Sequence, residues 1–143
     1  MHRKVAAALV AVLALGIASC GESGRTLTRA ELVRQVEAAC REGQLATQQQ
    51  GRARSTAGFL TAVVAGQRVI VARIKDFNGS GEAKSDFAAF KQGVQQRLAL
   101  FQRFQSTGGA GLQRAIAQVQ AEAEAITRRV HDAATRLGIE GCV

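Results

Sequence analysis

The residues with reactive side chains are few, and their spacing limits what they can do. The sequence holds three cysteines, Cys20, Cys40 and Cys142, and two histidines, His2 and His131. An enzyme site needs an acid, a base or a nucleophile brought together. His131 stands beside Asp132 in "RRVHDAA", and adjacent positions on a helix do not face each other. Glu122 and Glu124 are two apart and diverge in the same way. Arg34, Glu37 and Arg41 have the spacing of surface ion pairs, which contribute little. The "GSG" and "GGAG" stretches lack the strand and the following lysine of a phosphate loop. Serine is sparse, and no G-x-S-x-G elbow occurs. The expectation is no catalytic residue, no cofactor and no enzymatic activity.

Cys20 ends the opening stretch "MHRKVAAALVAVLALGIASC". Arg3 and Lys4 make a positive start, and Val5 to Ile17 is an unbroken small-apolar run. Such a run is shorter than the roughly 20 residues of a bilayer span and has the layout of a secretion signal. Ile17-Ala18-Ser19-Cys20 resembles the lipobox of bacterial lipoprotein precursors. That resemblance implies a diacylglyceryl group on the Cys20 thiol, cleavage between Ser19 and Cys20, and Cys20 as the new N-terminus. Residues 1–19 are then a removable lipoprotein signal peptide, 20–27 the lipidated cysteine with a short linker, and 28–143 a helical domain. The expected location is the extracytoplasmic face of a bacterial cell membrane, lipid-anchored. The alternative is an ordinary signal peptide with an incidental cysteine.

With Cys20 assigned to lipid, Cys40 and Cys142 remain as an even pair in an oxidising compartment, which reads as a disulfide. Closing a loop of about 100 residues stabilises by about 4–5 kcal/mol in the chain-entropy model. The alternative is two buried free thiols. No metal site is expected, because only His131 survives processing and two distant cysteines do not complete a ligand set. The formal charge falls from +8 to +6 once Arg3 and Lys4 are removed. Basic domains often bind nucleic acid, but an exported protein rarely meets any. Anionic lipid headgroups or acidic envelope polymers are better-placed partners. Six phenylalanines are the only aromatic residues, and they form no stacking platform for bases.

Four helical stretches would carry these residues. After the polar linker from Gly21 to Arg25, Thr28 and Glu31 have the spacing of a capping box, and Leu27 and Leu32 that of a hydrophobic staple. Leu32, Val36, Cys40, Gly43 and Thr47 then share one face, and the stretch stops at Gly51. Gln48 to Gln50 read as solvated surface. Ser55 caps a second helix, with Phe59, Val63, Ile70, Ile74 and Phe77 as its stripe and Leu60, Val64 and Val71 widening it. Gln67, Arg68 and Arg73 argue against a second membrane span. "RVIVARI" alone also reads as a strand, but the pattern extends over enough turns to favour a helix. "NGSG" at 78–81 is a turn. A third helix carries Phe87, Phe90, Val94, Leu98, Phe101 and Phe104 on one side and Lys91, Gln95, Gln96, Gln102 and Arg103 on the other. "STGGAG" at 106–111 breaks the chain again. The fourth carries Leu112, Ile116, Val119, Ala123, Ile126, Val130, Ala133 and Leu137. Gly138 follows as its left-handed end, with Ile139 as apolar follower. Gly43, Gly58, Gly66 and Gly93 fall mid-helix, either for close helix approach or as plain glycine usage.

The expected fold is all-α: an antiparallel four-helix bundle closed by a disulfide behind a lipoprotein signal peptide. In an up-down-up-down arrangement the anchor, the 78–84 turn and the C-terminus share one end, and "GRARS" and "STGGAG" share the other. Cys40 lies about 18 Å up the first helix, and Cys142 reaches back about 16 Å from Leu137. The tail must therefore turn at Gly138 and run beside the first helix.

"LTRAELVRQVEAAC" and "ATRLGIEGCV" are similar to the ends of small secreted lipoproteins of actinobacteria. Leu27, Thr28, Ala30, Glu31 and Cys40 match their opening pattern, and Gly138 and Cys142 their close. Leu32, Val36, Ala39, Leu137 and Val143 depart from it. The resemblance covers the two ends of the domain and implies a helical, disulfide-closed extracytoplasmic domain with no assigned activity. The function read from these features is a membrane-tethered, non-enzymatic interaction or scaffold role in the envelope. An unknown protein partner would meet Arg52 and Arg54 of the distal loop and the Arg128–Arg129 pair, each equally readable as solvated charge. The second reading is a carrier or sensor of a lipid-like ligand held between helices.

Overall fold

The computed structural model describes residues 24–51, 54–107 and 111–142. Four helices dominate it: α1 (Arg29–Gln49), α2 (Thr56–Ile74), α3 (Ala83–Thr107) and α4 (Gly111–Leu137). Two three-residue strands, β1 (Arg25–Leu27) and β2 (Phe77–Gly79), pair in parallel, with Arg25 opposite Phe77 and Leu27 opposite Gly79. Neither strand is expected from the sequence, which reads 20–27 as linker and 78–81 as turn. Three residues are too few for a strand pattern to show. Their pairing follows from Leu27, which is 2% exposed and anchors β1 in the core beside α1.

The ends of the helices follow local rules. Thr28 caps α1: its hydroxyl oxygen accepts from the Glu31 N–H, and the Glu31 carboxylate accepts from the Thr28 N–H at 2.9 Å. These bonds hold the Glu31 carboxyl below the usual carboxylate range. Ser55 caps α2, its hydroxyl accepting from the Gly58 N–H at 3.1 Å. α4 ends in a Schellman turn, with Ile139 N–H donating to Ala134 O and Gly138 N–H to Thr135 O. Gly138 sits at φ +82°, a conformation a β-carbon would strain. Ile139 turns inward and is 2% exposed.

"RVIVARI" is helical throughout, as part of α2. α2 packs on α1 and on α3, and α3 packs on α4. α1 and α2 approach through glycine. A β-carbon on Gly43 would stand 2.8 Å from Gly66 O and 2.6 Å from Ile70, and one on Gly66 would meet Thr47 and Gly43 O. Gly93 has a similar role on α3, where a β-carbon would stand 2.6 Å from a Val130 methyl on α4. Close approach thus accounts for three of the mid-helix glycines. By length and composition α2 also meets the requirements of a membrane-crossing helix, since the arginines that interrupt it are only two.

Two hydrophobic clusters lie along the helices. The first gathers Leu27, Leu32, Val36, Cys40, Ile70, Ile74, Phe87, Phe90, Val94, Val130, Leu137 and Ile139 with several alanines. The second is Leu60, Leu100, Phe104, Leu112 and Ile126, with Phe101, Ala115, Val119 and Ala123 against it. The buried stripe of α2 differs from the expected one. Leu60 and Val64 are buried, whereas Phe59 is 56% exposed. α2 is apolar nearly all round, so its partners rather than its own pattern choose the buried face. On α3, Leu100 is buried, while Leu98 and Phe101 are only partly covered. On α4, Ile116 is 39% exposed.

Candidate functional site

Cys40 and Cys142 are joined by a disulfide, with their Cα atoms 5.5 Å apart across a sequence separation of 102. Cys40 is buried in the first core. The tail after Gly138 runs back along α1 as the spacing requires. Gln44 donates to Gly141 O at 3.4 Å, and Cys142 Sγ lies 3.8 Å from Val36 O. A further link was not foreseen. Arg29, the first residue of α1, donates from Nε to Leu137 O at 3.2 Å and from Nη2 to Arg136 O. Its guanidinium thereby satisfies carbonyls that the end of α4 leaves without helical partners. Arg136 in turn reaches Asp86 on α3 at 2.6 Å. The signal for Arg29 was its place at the start of α1, but a cap supplied from another helix leaves no local pattern.

The candidate contact residues do not form one patch. Ser19, Cys20 and Arg52 lie outside the described residues. Arg54 is exposed just ahead of the α2 cap. The start of α2 and the start of α4 share a cleft, lined by Ser55, Leu60, Phe104 and Leu112. Arg128 is sixteen residues further along α4, roughly 24 Å away along the helix axis. Arg128 and Arg129 also part from each other. Arg129 donates to Gln96 Oε1 across the α3–α4 seam. Arg128 instead borders a groove of about 410 Å³ with Phe104, Ile116, Ala123, Glu124 and Thr127.

That groove is the most apolar concavity on the second half of the molecule. Its walls are the Phe104 edge of α3 and the outer face of α4, and Arg128 and Glu124 stand at its rim. Its lining is mostly apolar, with Gln120, Thr127 and one charge of each sign, Glu124 and Arg128. Sequence periodicity placed Ile116 and Ala123 in the core, so the groove was missed. At the end of α1, "QLATQQQ" carries Leu45 at 55% exposure. Among the described residues no three His, Cys, Asp or Glu side chains are grouped as metal ligands.

No family model, curated protein or solved structure matches the chain.

Proposed function

We propose that the protein is a lipid-anchored lipoprotein of the extracytoplasmic membrane face that acts by contact, without catalysis, as an interaction or scaffold protein of the envelope. In this reading Cys20 carries the diacylglyceryl group, residues 1–19 are removed, and the helices form an antiparallel up-down-up-down bundle. Supporting the bundle are the Gly43–Gly66 approach and the Arg73–Glu42 pair at 2.6 Å between α1 and α2. The observation that carries the contact role is the α3–α4 groove, an apolar surface with Ile116 39% exposed and Arg128 at its rim. The resemblance to secreted actinobacterial lipoproteins supports the same assignment.

A photo-crosslinking residue at Ile116 or Ala123 in intact cells is expected to capture one recurrent partner, and the same residue at exposed Gln118 is not. Capture at background level from all three positions would overturn the contact role. Cys20→Ser is expected to move the protein out of the membrane fraction, and unchanged partition would overturn the anchor. The second reading is a carrier of an apolar ligand, favoured by the cleft of about 470 Å³ between the starts of α2 and α4. Native mass spectrometry after mild extraction separates the two, since a carrier retains lipid.

A further inference from the structure

We infer that the cleft between the β1–β2 ladder and α3 binds the phosphate of an anionic phospholipid headgroup. The cleft encloses about 680 Å³ and is lined by Thr26, Asn78, Ser80, Lys84, Phe87 and Lys91 among others. Lys84 and Lys91 are seven residues apart on α3, so they lie on one face of the helix about 10 Å apart along it. The Lys91 ammonium is fixed in place. It donates to Phe77 O at 3.0 Å and to Lys75 O at 3.3 Å, and stands 5.7 Å from the Phe87 ring centroid. An ammonium has three protons, so one remains for a ligand. Among the described residues neither lysine has a carboxylate partner. Of the nearby acids, Asp86 pairs with Arg136 and Asp76 with Lys75, while Glu82, two residues before Lys84, is exposed and lies outside both pairs. Two lysines with no carboxylate at ion-pair distance among the described residues therefore face one cleft, with the Thr26 and Ser80 hydroxyls and the Asn78 amide able to bond ester and glycerol oxygens.

The position of the cleft selects a lipid as the source of the phosphate. Thr26 follows Cys20 by six residues, about 21 Å of extended chain at most. A lipid on Cys20 would hold this face within reach of headgroups. This selection rests on the lipidation proposed above, whereas the cleft and its lysines do not.

The test is an NMR titration of the full chain carrying Cys20→Ser with dihexanoyl phosphatidylglycerol, dihexanoyl phosphatidylcholine and inorganic phosphate. Phosphatidylglycerol is expected to shift the Thr26, Ser80, Lys84 and Lys91 amides saturably. Lys84→Glu, an exposed change that leaves the core intact, is expected to weaken binding at least tenfold. Lys91→Gln, with its fold checked by the rest of the spectrum, is expected to do the same. No saturable shift, or equal binding of phosphatidylcholine, overturns the site. Equal affinity for inorganic phosphate overturns the lipid source. Mass analysis of Cys20 in membrane-extracted protein reports separately on the anchor, so the two proposals fail by different results.

Discussion

The core around Phe90 and the core around Phe104 are built on the same three helices, α2, α3 and α4, yet α1 contributes only to the first. Among the described residues the first holds sixteen buried positions and the second five. The first is also where the constraints collect: the disulfide, the Schellman turn, the Arg29 cap, the capping box and the strand pair. The second has none of these, and the exposed Leu45, Phe59 and Ile116 lie along the helix segments that lead away from the first. The difference comes down to a few residues of α1. Leu32, Val36 and Cys40 point inward from its first half, and its last two turns offer glutamines. The molecule thus has a locked half and a looser half, and the apolar groove belongs to the looser one.

The contrast can be broken from the locked side first. Replacing Cys40 and Cys142 together by alanine is expected to lower unfolding stability by about 5 kcal/mol, since the bond closes a loop of about 100 residues; chemical denaturation with and without reductant measures it. Phe90→Ala, at a fully buried position, should cost about 3–5 kcal/mol. Phe104→Ala, at 8% exposure in the smaller core, should cost less than Phe90→Ala. Equal losses would erase the distinction between the halves.

Gly66→Ala should cost about 1–3 kcal/mol by overpacking, because the new methyl meets backbone that cannot swing away. Thr28→Ala should cost about 1 kcal/mol through the lost cap, and it should flatten the acid side of the stability profile only in part, because the Thr28 backbone N–H, the larger cause of the lowered Glu31 carboxyl, is kept. Glu31 is held below the usual carboxylate range by Thr28, so its contribution is present above that range and fades as pH falls through the lowered value. Denaturation curves from neutral to acid pH for both proteins check the sign. Smallest of all, Phe59→Ser, at a 56% exposed position, is expected to change stability by less than about 0.5 kcal/mol in the same denaturation curves.

Most of the helical layout was legible. Thr28 with Glu31, Ser55, and Gly138 with Ile139 are local signals whose bonds are made within a few residues, and all three formed as their spacing required. The disulfide was legible once the cysteines were divided. What escaped was decided at a distance. β1 and β2 are three residues each and exist by pairing with one another. Which face of α2 is buried depends on α1 and α3, so the stripe centres on Leu60 and Val64 and leaves out Phe59, which spacing alone places in it. Ile116 has core periodicity, but nothing in α4 itself records that it is left 39% exposed, while Ala123 packs partly buried against the second core as its spacing asks. The lysine cleft was equally hidden, because Lys91 reads as the polar side of a helix and Lys84 as the end of the 78–84 turn until Thr26 and Ser80 are set opposite.

The Arg29 cap and the Cys40–Cys142 bond have a consequence for the order in which the molecule is made. Both tie the beginning of α1 to residues synthesised more than a hundred positions later. Synthesis runs from the N-terminus, so α1, α2 and α3 are made before residues 137–142, and the cap and the disulfide can form only when those arrive. Cys40 spends that interval as a free thiol. The half of the protein that is firmest when finished is therefore the last to close, and a chain cut between residues 137 and 142 contains all four helical segments but lacks its fastening.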